Sequence, residues 1–162
     1  MSWTNLENKV VVVTGGAAGI GLSVVKGFVE VGAKVMIADF AEEVGIQAVE
    51  EANQAGNGEA DFAKCDVTSK EDVDALIGAT INRWGSIDVL VNNAGINIPR
   101  LLVDPAGKEE MTEDVWDKVF AVNVKGQFLC AQAASRQMLA SGNGGVLINM
   151  SSESGLEGSE GQ

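Results

Sequence analysis

The 162-residue chain is long enough to form one domain with a substantial core, and its 46% hydrophobic content excludes a disordered tail. Its 11 basic and 23 acidic residues give a net charge of −12, which disfavours binding to nucleic acid or to an anionic membrane surface. No apolar stretch approaches the ~20 residues of a transmembrane helix, and the N-terminus shows no signal-peptide pattern. We therefore expect a cytoplasmic protein without nucleic-acid or membrane partners.

The side chains commonly used for metal binding and proton transfer are few. Cys65 and Cys130 lie far apart without metal-type spacing, so we expect two reduced thiols and no metal site. The chain contains no histidine and no tyrosine. Two of the commonest groups for proton transfer near neutral pH are therefore unavailable within these residues.

Short apolar runs alternate with helical periodicity along the chain. In chain order, the sequence predicts a strand at 9–15, a helix closed by Gly32, a strand at 34–40, a helix at 41–55 and a strand around 60–64. A helical segment at 65–85 follows, with a capping box at Ser69 and Asp72, and then a strand at 87–95 and a loop at 96–111. A helical region at 112–139, with a break near Asn123, leads to a last strand at 146–150. This alternation predicts right-handed βαβ units in a Rossmann-type, doubly wound α/β sheet. We expect one domain over residues 1–162.

A glycine-rich segment, TGGAAGIG at 14–21, joins the first strand to the first helix. Gly15, Gly19 and Gly21 allow a tight turn and close backbone approach, and the helix N-terminus offers N–H groups to a pyrophosphate. The spacing is G-x-x-x-G-x-G rather than the general G-x-G-x-x-G. Glycine turns are common, but the position between a strand and a helix favours a nucleotide site.

Asp39 ends the second strand, at the place where dinucleotide sites carry an acidic residue. A carboxylate there accepts hydrogen bonds from the adenosine ribose hydroxyls and repels a 2′-phosphate. No Lys or Arg stands in the glycine-rich segment or directly after Asp39, so the charges favour NAD over NADP. The alternative is an aspartate that only completes a turn.

Together these segments resemble one family, the short-chain dehydrogenases/reductases. The segments that carry the resemblance, in the family's order, are TGGAAGIG, CDVT at 65–68, NNAG at 92–95 and AVNVKG at 121–126. Taken singly, NNAG could be a plain turn and Asn123 a helix-kink residue. The resemblance implies instead that Asp66 contacts adenine, that Asn92 supports the central strand and that Asn123 is the active-site asparagine. The cofactor-binding residues that it implies are Gly15, Gly19, Ile20, Gly21, Asp39, Asp66, Val67, Asn93, Ala94 and Gly95.

The resemblance also implies a catalytic serine after the fifth strand, which binds the carbonyl or hydroxyl oxygen of the substrate. Ser152 matches by position, with Ser151 as its neighbour, whereas a serine that only completes a strand-end turn is the alternative. The family's Tyr-x-x-x-Lys motif has no match, and its usual spacing would place the tyrosine just past Gln162. We therefore expect the N-terminal five strands of a longer enzyme, with an unpaired apolar edge at the fifth strand.

By this resemblance the function is NAD-dependent interconversion of a secondary alcohol and a ketone, in a homo-oligomer that is a dimer or a tetramer. Loops 96–108 and 149–162 resemble the branch that acts on sugar alcohol phosphates, which implies conversion of sorbitol 6-phosphate to fructose 6-phosphate. Arg100 and Lys108 are then candidate phosphate ligands, unless they are two solvated loop cations. The alternatives are a non-catalytic dinucleotide-binding fragment or pseudoenzyme, and another Rossmann protein such as a methyltransferase.

Overall fold

The structure, a computed structural model, describes residues 5–158, so the ends of the predicted domain and of loop 149–162 lie outside the described residues. The strands are β1 Val10–Thr14, β2 Lys34–Asp39, β3 Glu59–Lys64, β4 Val89–Asn92 and β5 Val146–Asn149. The helices are α1 Gly19–Glu30, α2 Glu42–Ala52, α3 Lys70–Trp84, α4 Glu113–Phe120, α5 Gln127–Ala140 and the short α6 Ser154–Glu157. A π-helical segment, Ala121–Gly126, joins α4 to α5.

The five strands form one parallel sheet in the order β3-β2-β1-β4-β5. Parallel neighbours need crossover connections, and helices α1, α2 and α3 and the α4–α5 region supply them. All five residues of β1 are buried, as expected of a strand with neighbours on both edges and helices on both faces. The predicted Rossmann-type α/β fold is confirmed.

Alternate residues of β1 supply the two faces of the core. Val12 belongs to a cluster with side chains of α3 and α5, including Leu76 and Ala134. Val11 and Val13 point to the other face and belong to a cluster with side chains of α1 and α2. Helices therefore cover both faces of the sheet, and the carboxyl ends of the central strands remain available for a site.

The start of α3 forms half of the predicted capping box. The Ser69 hydroxyl accepts the Asp72 N–H at 3.2 Å, as predicted. The Asp72 carboxylate, however, accepts the N–H of Asp66 at 3.0 Å, while the Ser69 N–H donates to the Asp66 carbonyl. The helix therefore begins at Lys70, and its first turn holds the loop that follows β3.

The predicted break near Asn123 is the π-helical segment between α4 and α5. Such segments commonly occur at functional sites, because they redirect a side chain within an otherwise continuous helix. Within residues 5–158, no helix combines the length and apolar character needed to span a bilayer.

Candidate active site

A cleft of about 780 Å³ lies at the carboxyl ends of β1, β2, β3 and β4. The predicted cofactor residues that line it are Gly15, Ile20, Gly21, Asp39, Asp66, Val67, Asn93, Ala94 and Gly95. The remaining predicted residue, Gly19, is the first residue of α1, and both of its neighbours in sequence, Ala18 and Ile20, line the cleft. Residues from four separate segments of the sequence therefore meet in one place.

Close backbone packing requires two glycines, one in the β1–α1 turn and one in the first turn of α1. A Cβ atom at Gly21 would lie 2.0 Å from the carbonyl oxygen of Gly15. Gly15 has a φ of +62°, and a Cβ atom there would lie 2.8 Å from the Cα atom of Ala94. The turn is therefore pressed against the loop that follows β4.

The N-terminus of α1 is suited to an anionic group. Its N-cap residue, Ala18, makes no side-chain capping bond, and the first turn contains no acidic residue. A Cβ atom at Gly19 would meet nothing within 4 Å, so the space next to the first turn is open. Free N–H groups, the positive end of the helix dipole and open space together fit a diphosphate.

Thr14 and Asn93 hold the ends of β1 and β4 together. The Asn93 Nδ2 group donates to the carbonyls of Thr14 and Gly15, both at 3.0 Å. The Thr14 hydroxyl accepts the N–H groups of Asn93 and Ala94, both at 3.1 Å. The NNAG segment therefore fixes the glycine-rich turn. Thr14 contributes to this contact, although the sequence predicts no role for it.

Asp39 faces the cleft and completes a turn at the same time. Its Oδ2 accepts the N–H of Ala17 at 3.1 Å, and its Oδ1 accepts the N–H of Ala41 at 3.1 Å. An ionised carboxylate has about four acceptor positions, so these bonds leave others for hydroxyl groups. The two interpretations of Asp39 are therefore compatible, and its position in the cleft is held by backbone on both sides.

The loop after β3 closes the cleft at its other end. The Asp66 Oδ1 atom accepts the N–H of Thr68 at 2.9 Å and its hydroxyl at 2.8 Å. Val67 packs against the end of the π-helical segment, where a Cβ atom at Gly126 would lie 2.8 Å from the Val67 Cγ2 atom. The loop after β3 therefore lies next to the helical region that contains Asn123.

Cys65 precedes this loop and lines the cleft. Burial raises the pKa of its thiol to about 12, with smaller contributions from Cys130, Asp72 and Asp66. Burial also raises the pKa of the Cys130 thiol, to about 11. Both thiols therefore remain protonated near neutral pH, which makes them poor nucleophiles.

Asn123 fixes the loop that follows β4. Its Oδ1 accepts the Ile96 N–H at 2.8 Å, and its Nδ2 donates to the Ile96 carbonyl at 2.8 Å. The π-helical segment turns the Asn123 side chain toward this loop. Asn123 thus lies in the predicted helix break, and one acceptor position and one donor of its amide are taken by the backbone of Ile96.

A second cavity, of about 380 Å³, brings Asn123 together with Ser152. The other polar residues that line it are Asn97 and Ser154, and the apolar ones are Ile96, Ile98, Met111, Val115, Trp116, Val119 and Phe120. The Ser152 hydroxyl accepts the N–H of Ser154 at 3.2 Å, so it retains a hydrogen that it can donate. The two predicted catalytic residues therefore share one cavity, and Ile96 also lines the larger cleft.

A hydrogen bond between the side-chain amides of Asn92 and Asn149 joins β4 to the strand that leads to Ser152. The Asn92 Nδ2 group donates to Asn149 Oδ1 at 2.9 Å, and the Met150 N–H donates to the Asn92 carbonyl at 2.9 Å. Asn92 is only 1% exposed, whereas Asn149 is exposed, so this bond ties the outer strand to a buried residue of β4. Asn92 thus connects β4 to β5, and the supporting role that the resemblance implies for it stays a prediction.

Arg100 and Lys108 line neither cavity in the described part of the chain. The Arg100 guanidinium donates to the carbonyl of Pro99 at 2.7 Å, and the Lys108 N–H donates to the Asp104 carboxylate at 2.7 Å. N–H groups of Glu109, Ala106 and Lys108 lower the pKa of Asp104. The loop is thus closed on Asp104, and a phosphate role for its two cations stays a prediction.

The structure adds cleft residues that the sequence reasoning missed. They include Phe40, Lys118, Ala121 and Val122. Phe40 directly follows Asp39, so its position at a strand end was a usable signal. The other three recur at helical spacing before Asn123, but nothing in the sequence says that this helix returns to the cleft.

The strand order and the glycine-rich turn define a Rossmann-type α/β protein. The chain belongs to the short chain dehydrogenase family, whose family model matches residues 9–162. It is 45% identical over 165 residues to a sorbitol-6-phosphate 2-dehydrogenase of Klebsiella pneumoniae, over 99% of this chain and 58% of that protein. It is 39% identical over 153 residues to a galactitol 2-dehydrogenase of Agrobacterium fabrum, over 94% of this chain and 56% of that protein.

Solved structures of similar proteins share the fold. A short chain dehydrogenase from Mycobacterium smegmatis superposes with a TM-score of 0.90 at 36% identity, over 97% of this chain and 63% of that one. An NAD⁺-bound xylitol dehydrogenase superposes with a TM-score of 0.85 at 30% identity, over 97% of this chain and 58% of that one. The predicted family is confirmed, and the chain spans 56% to 58% of the two curated relatives.

Proposed function

We propose that the protein is an NAD-dependent oxidoreductase that interconverts a secondary alcohol and a ketone. The observation that carries this proposal is the meeting, in one cleft, of the uncapped α1 N-terminus and the Asp39 carboxylate. The similar xylitol dehydrogenase structure, which is NAD⁺-bound, and the polyol dehydrogenases among the relatives support it.

Each end of the cleft has groups suited to one part of a dinucleotide. The first turn of α1 would hold the diphosphate, and Asp39 would accept hydrogen bonds from the adenosine ribose. Asp66 and Val67 would hold the adenine, with a carboxylate for its amino group and an apolar side chain for its ring. When bound, NAD supplies the hydride acceptor of the oxidation.

The preference for NAD over NADP depends on Asp39, and the Asp39→Asn variant tests it. The amide retains one acceptor oxygen but removes the negative charge that disfavours a 2′-phosphate. Calorimetric titration should show weaker NAD binding, by about tenfold, and a smaller NAD-to-NADP ratio of affinities. Glu43→Gln, on an exposed residue in the first turn of α2, is the matched control for the loss of one charge. An unchanged ratio in Asp39→Asn would contradict this assignment.

In the second cavity, Ser152 would bind the substrate oxygen through its hydroxyl. Asn123 would act as a positioning residue, because its amide holds the Ile96 backbone between the two cavities. The 162 residues include no tyrosine, so we assign the proton transfer to no residue of this chain. A cytoplasmic location and a homo-oligomeric state remain predictions.

For the substrate we propose a sugar alcohol phosphate, converted from sorbitol 6-phosphate to fructose 6-phosphate. The support is the 45% identity to a sorbitol-6-phosphate 2-dehydrogenase. Rates of NADH formation with sorbitol 6-phosphate, sorbitol, galactitol and xylitol would test it. Arg100→Ala should selectively weaken the binding of the phosphorylated substrate. An equal loss of binding for unphosphorylated polyols would remove Arg100 from a phosphate role.

The second candidate is a dinucleotide-binding protein without catalysis. The observation that favours it is a well-formed cleft in a chain that lacks tyrosine. Both candidates require NAD binding, whereas only the oxidoreductase forms NADH from NAD and a polyol. Binding without turnover across the polyol set would favour the second candidate.

A further inference from the structure

Lys118 is the one Lys or Arg that lines the large cleft in the described part of the chain. It lies on α4, and its side chain makes no ion pair or hydrogen bond within residues 5–158. The carboxylates that line the same cleft, Asp39 and Asp66, accept hydrogen bonds from their own loops. The ammonium group is therefore a cation without a protein partner in a cleft suited to a ligand.

An available ion pair on the same helix is not formed. Asp114 lies four residues before Lys118, and an acid four residues N-terminal to a lysine is the favoured order for a helical pair. Lys70 and Asp74 form an ion pair on α3 in the less favoured order, so such pairs do form in this protein. The Lys118 side chain instead lies at the cleft, which keeps its three N–H donors available.

The position of Lys118 relates it to the end of the cleft that is suited to adenosine. Lys118, Ala121 and Val122 all line the cleft, because residues three and four apart share a helix face. Further along the same helical region, Gly126 contacts Val67, in the loop after β3. The helical region that carries Lys118 therefore packs, at its Gly126 end, on Val67 in the loop after β3.

We infer that Lys118 is a further cofactor-binding residue whose ammonium group contacts the adenosine half of a bound dinucleotide. This inference rests on the proposed dinucleotide function. The ammonium group would donate to acceptor atoms of the adenine or its ribose, or lie over the face of the ring.

The experiment compares the native protein with three variants by calorimetric titration of NAD, AMP and reduced NMN. Lys118→Met removes the charge but keeps an apolar stem, whereas Lys118→Arg keeps the charge. Lys125→Met is the matched control, because Lys125 is an exposed lysine of the same helical region that does not line the cleft. Thermal unfolding of each variant checks that the fold is unchanged.

We expect Lys118→Met to weaken the binding of NAD and of AMP by about three- to tenfold and to leave the binding of reduced NMN unchanged. Lys118→Arg should retain most of the affinity, and Lys125→Met should match the native protein. The inference is overturned if Lys118→Met binds NAD as the native protein does, if both Met variants lose affinity equally, or if reduced NMN is weakened as much as AMP. Failure of the native protein to bind NAD would instead remove the proposed function itself, and the inference with it.

Discussion

The strands β1 and β5 have similar apolar sequences, VVVVT and VLIN, but opposite environments. All five residues of β1 are buried, whereas Leu147 and Ile148 of β5 are 41% and 40% exposed. The difference arises from neighbours, because β1 lies between β2 and β4, whereas β5 pairs with β4 alone among the described residues. An apolar run thus predicts a strand, but its burial depends on what packs around it.

The same contrast divides the candidate site. The dinucleotide cleft begins at the ends of buried strands, and Thr14 and Asn92 beside it are both 1% exposed. Ser152 follows the exposed strand, and the residues around it are exposed as well. We therefore expect substitutions in the buried region to change stability and those beyond it to have small effects.

The largest expected effect compares two leucines that face each other in register on neighbouring strands. Leu90 of β4 is fully buried, and its partner in β5 is Leu147. Leu90→Ala should lower the free energy of unfolding by about 3 kcal/mol, because it removes buried methyl groups and leaves a cavity. Leu147→Ala should cost less than about 1 kcal/mol. Urea unfolding measures both, and equal losses would show that β5 is covered in solution.

The next effect compares two glycines within α1. Gly21→Ala should destabilise the protein by about 1–3 kcal/mol and weaken NAD binding, because its Cβ would meet the carbonyl oxygen of Gly15. Gly27→Ala should be neutral or stabilise by up to about 1 kcal/mol, since a Cβ there meets nothing within 4 Å. Thermal unfolding and NAD titration measure both variants. A Gly21→Ala variant that binds NAD normally would show that the turn does not require this close approach.

A smaller effect is expected at the join between the two cavities. Asn123→Ala removes both hydrogen bonds to Ile96 and should cost about 1–2 kcal/mol, with faster hydrogen exchange at the Ile96 amide. Asn97→Ala, on the exposed residue next to Ile96, is the control and should leave both quantities near their native values. If exchange at Ile96 stays slow in Asn123→Ala, other contacts hold the loop.

The smallest effect near neutral pH concerns the two buried thiols. The pKa values of Cys65 and Cys130 are raised from 9.0 to about 12 and about 11, so folding favours their protonated forms. Well below pH 9.0 they add no pH dependence. Above pH 9.0 the unfolded chain loses protons first, so stability falls as pH rises toward about 11 for Cys130 and about 12 for Cys65. The fall should approach about 1.4 kcal/mol per pH unit for each thiol.

The matched variant for this prediction carries both Cys65→Ala and Cys130→Ala. Its free energy of unfolding should decline less steeply above pH 9.0 than that of the native protein. Alkylation should be slow in the folded protein and fast after unfolding, because the side chains are 2% and 1% exposed. Rapid alkylation of the folded protein would show that the Cys65 side of the cleft opens in solution.

Much of the fold and of the cleft could be predicted from local patterns. The runs around Val12, Met36 and Leu90 mark buried parallel strands, and the strand ends Thr14, Asp39 and Asn92 are followed directly by the residues that meet in the cleft. This works because the carboxyl ends of parallel strands share one edge of the sheet. The reciprocal half of the capping box was wrong, because the Asp72 carboxylate accepts the N–H of Asp66 in the preceding loop rather than that of Ser69, a choice that the spacing of Ser69 and Asp72 does not reveal.

The sequence by itself determined the family, the strand–helix alternation and the residues that follow each strand, since these depend on local order along the chain. Only the tertiary structure decided that Lys118 lies at the cleft and that Arg100 lies away from both cavities. The physical reason is that a side chain's partners depend on how helices and loops return to the sheet. Periodicity gives the face of a helix but not the surface on which that face packs.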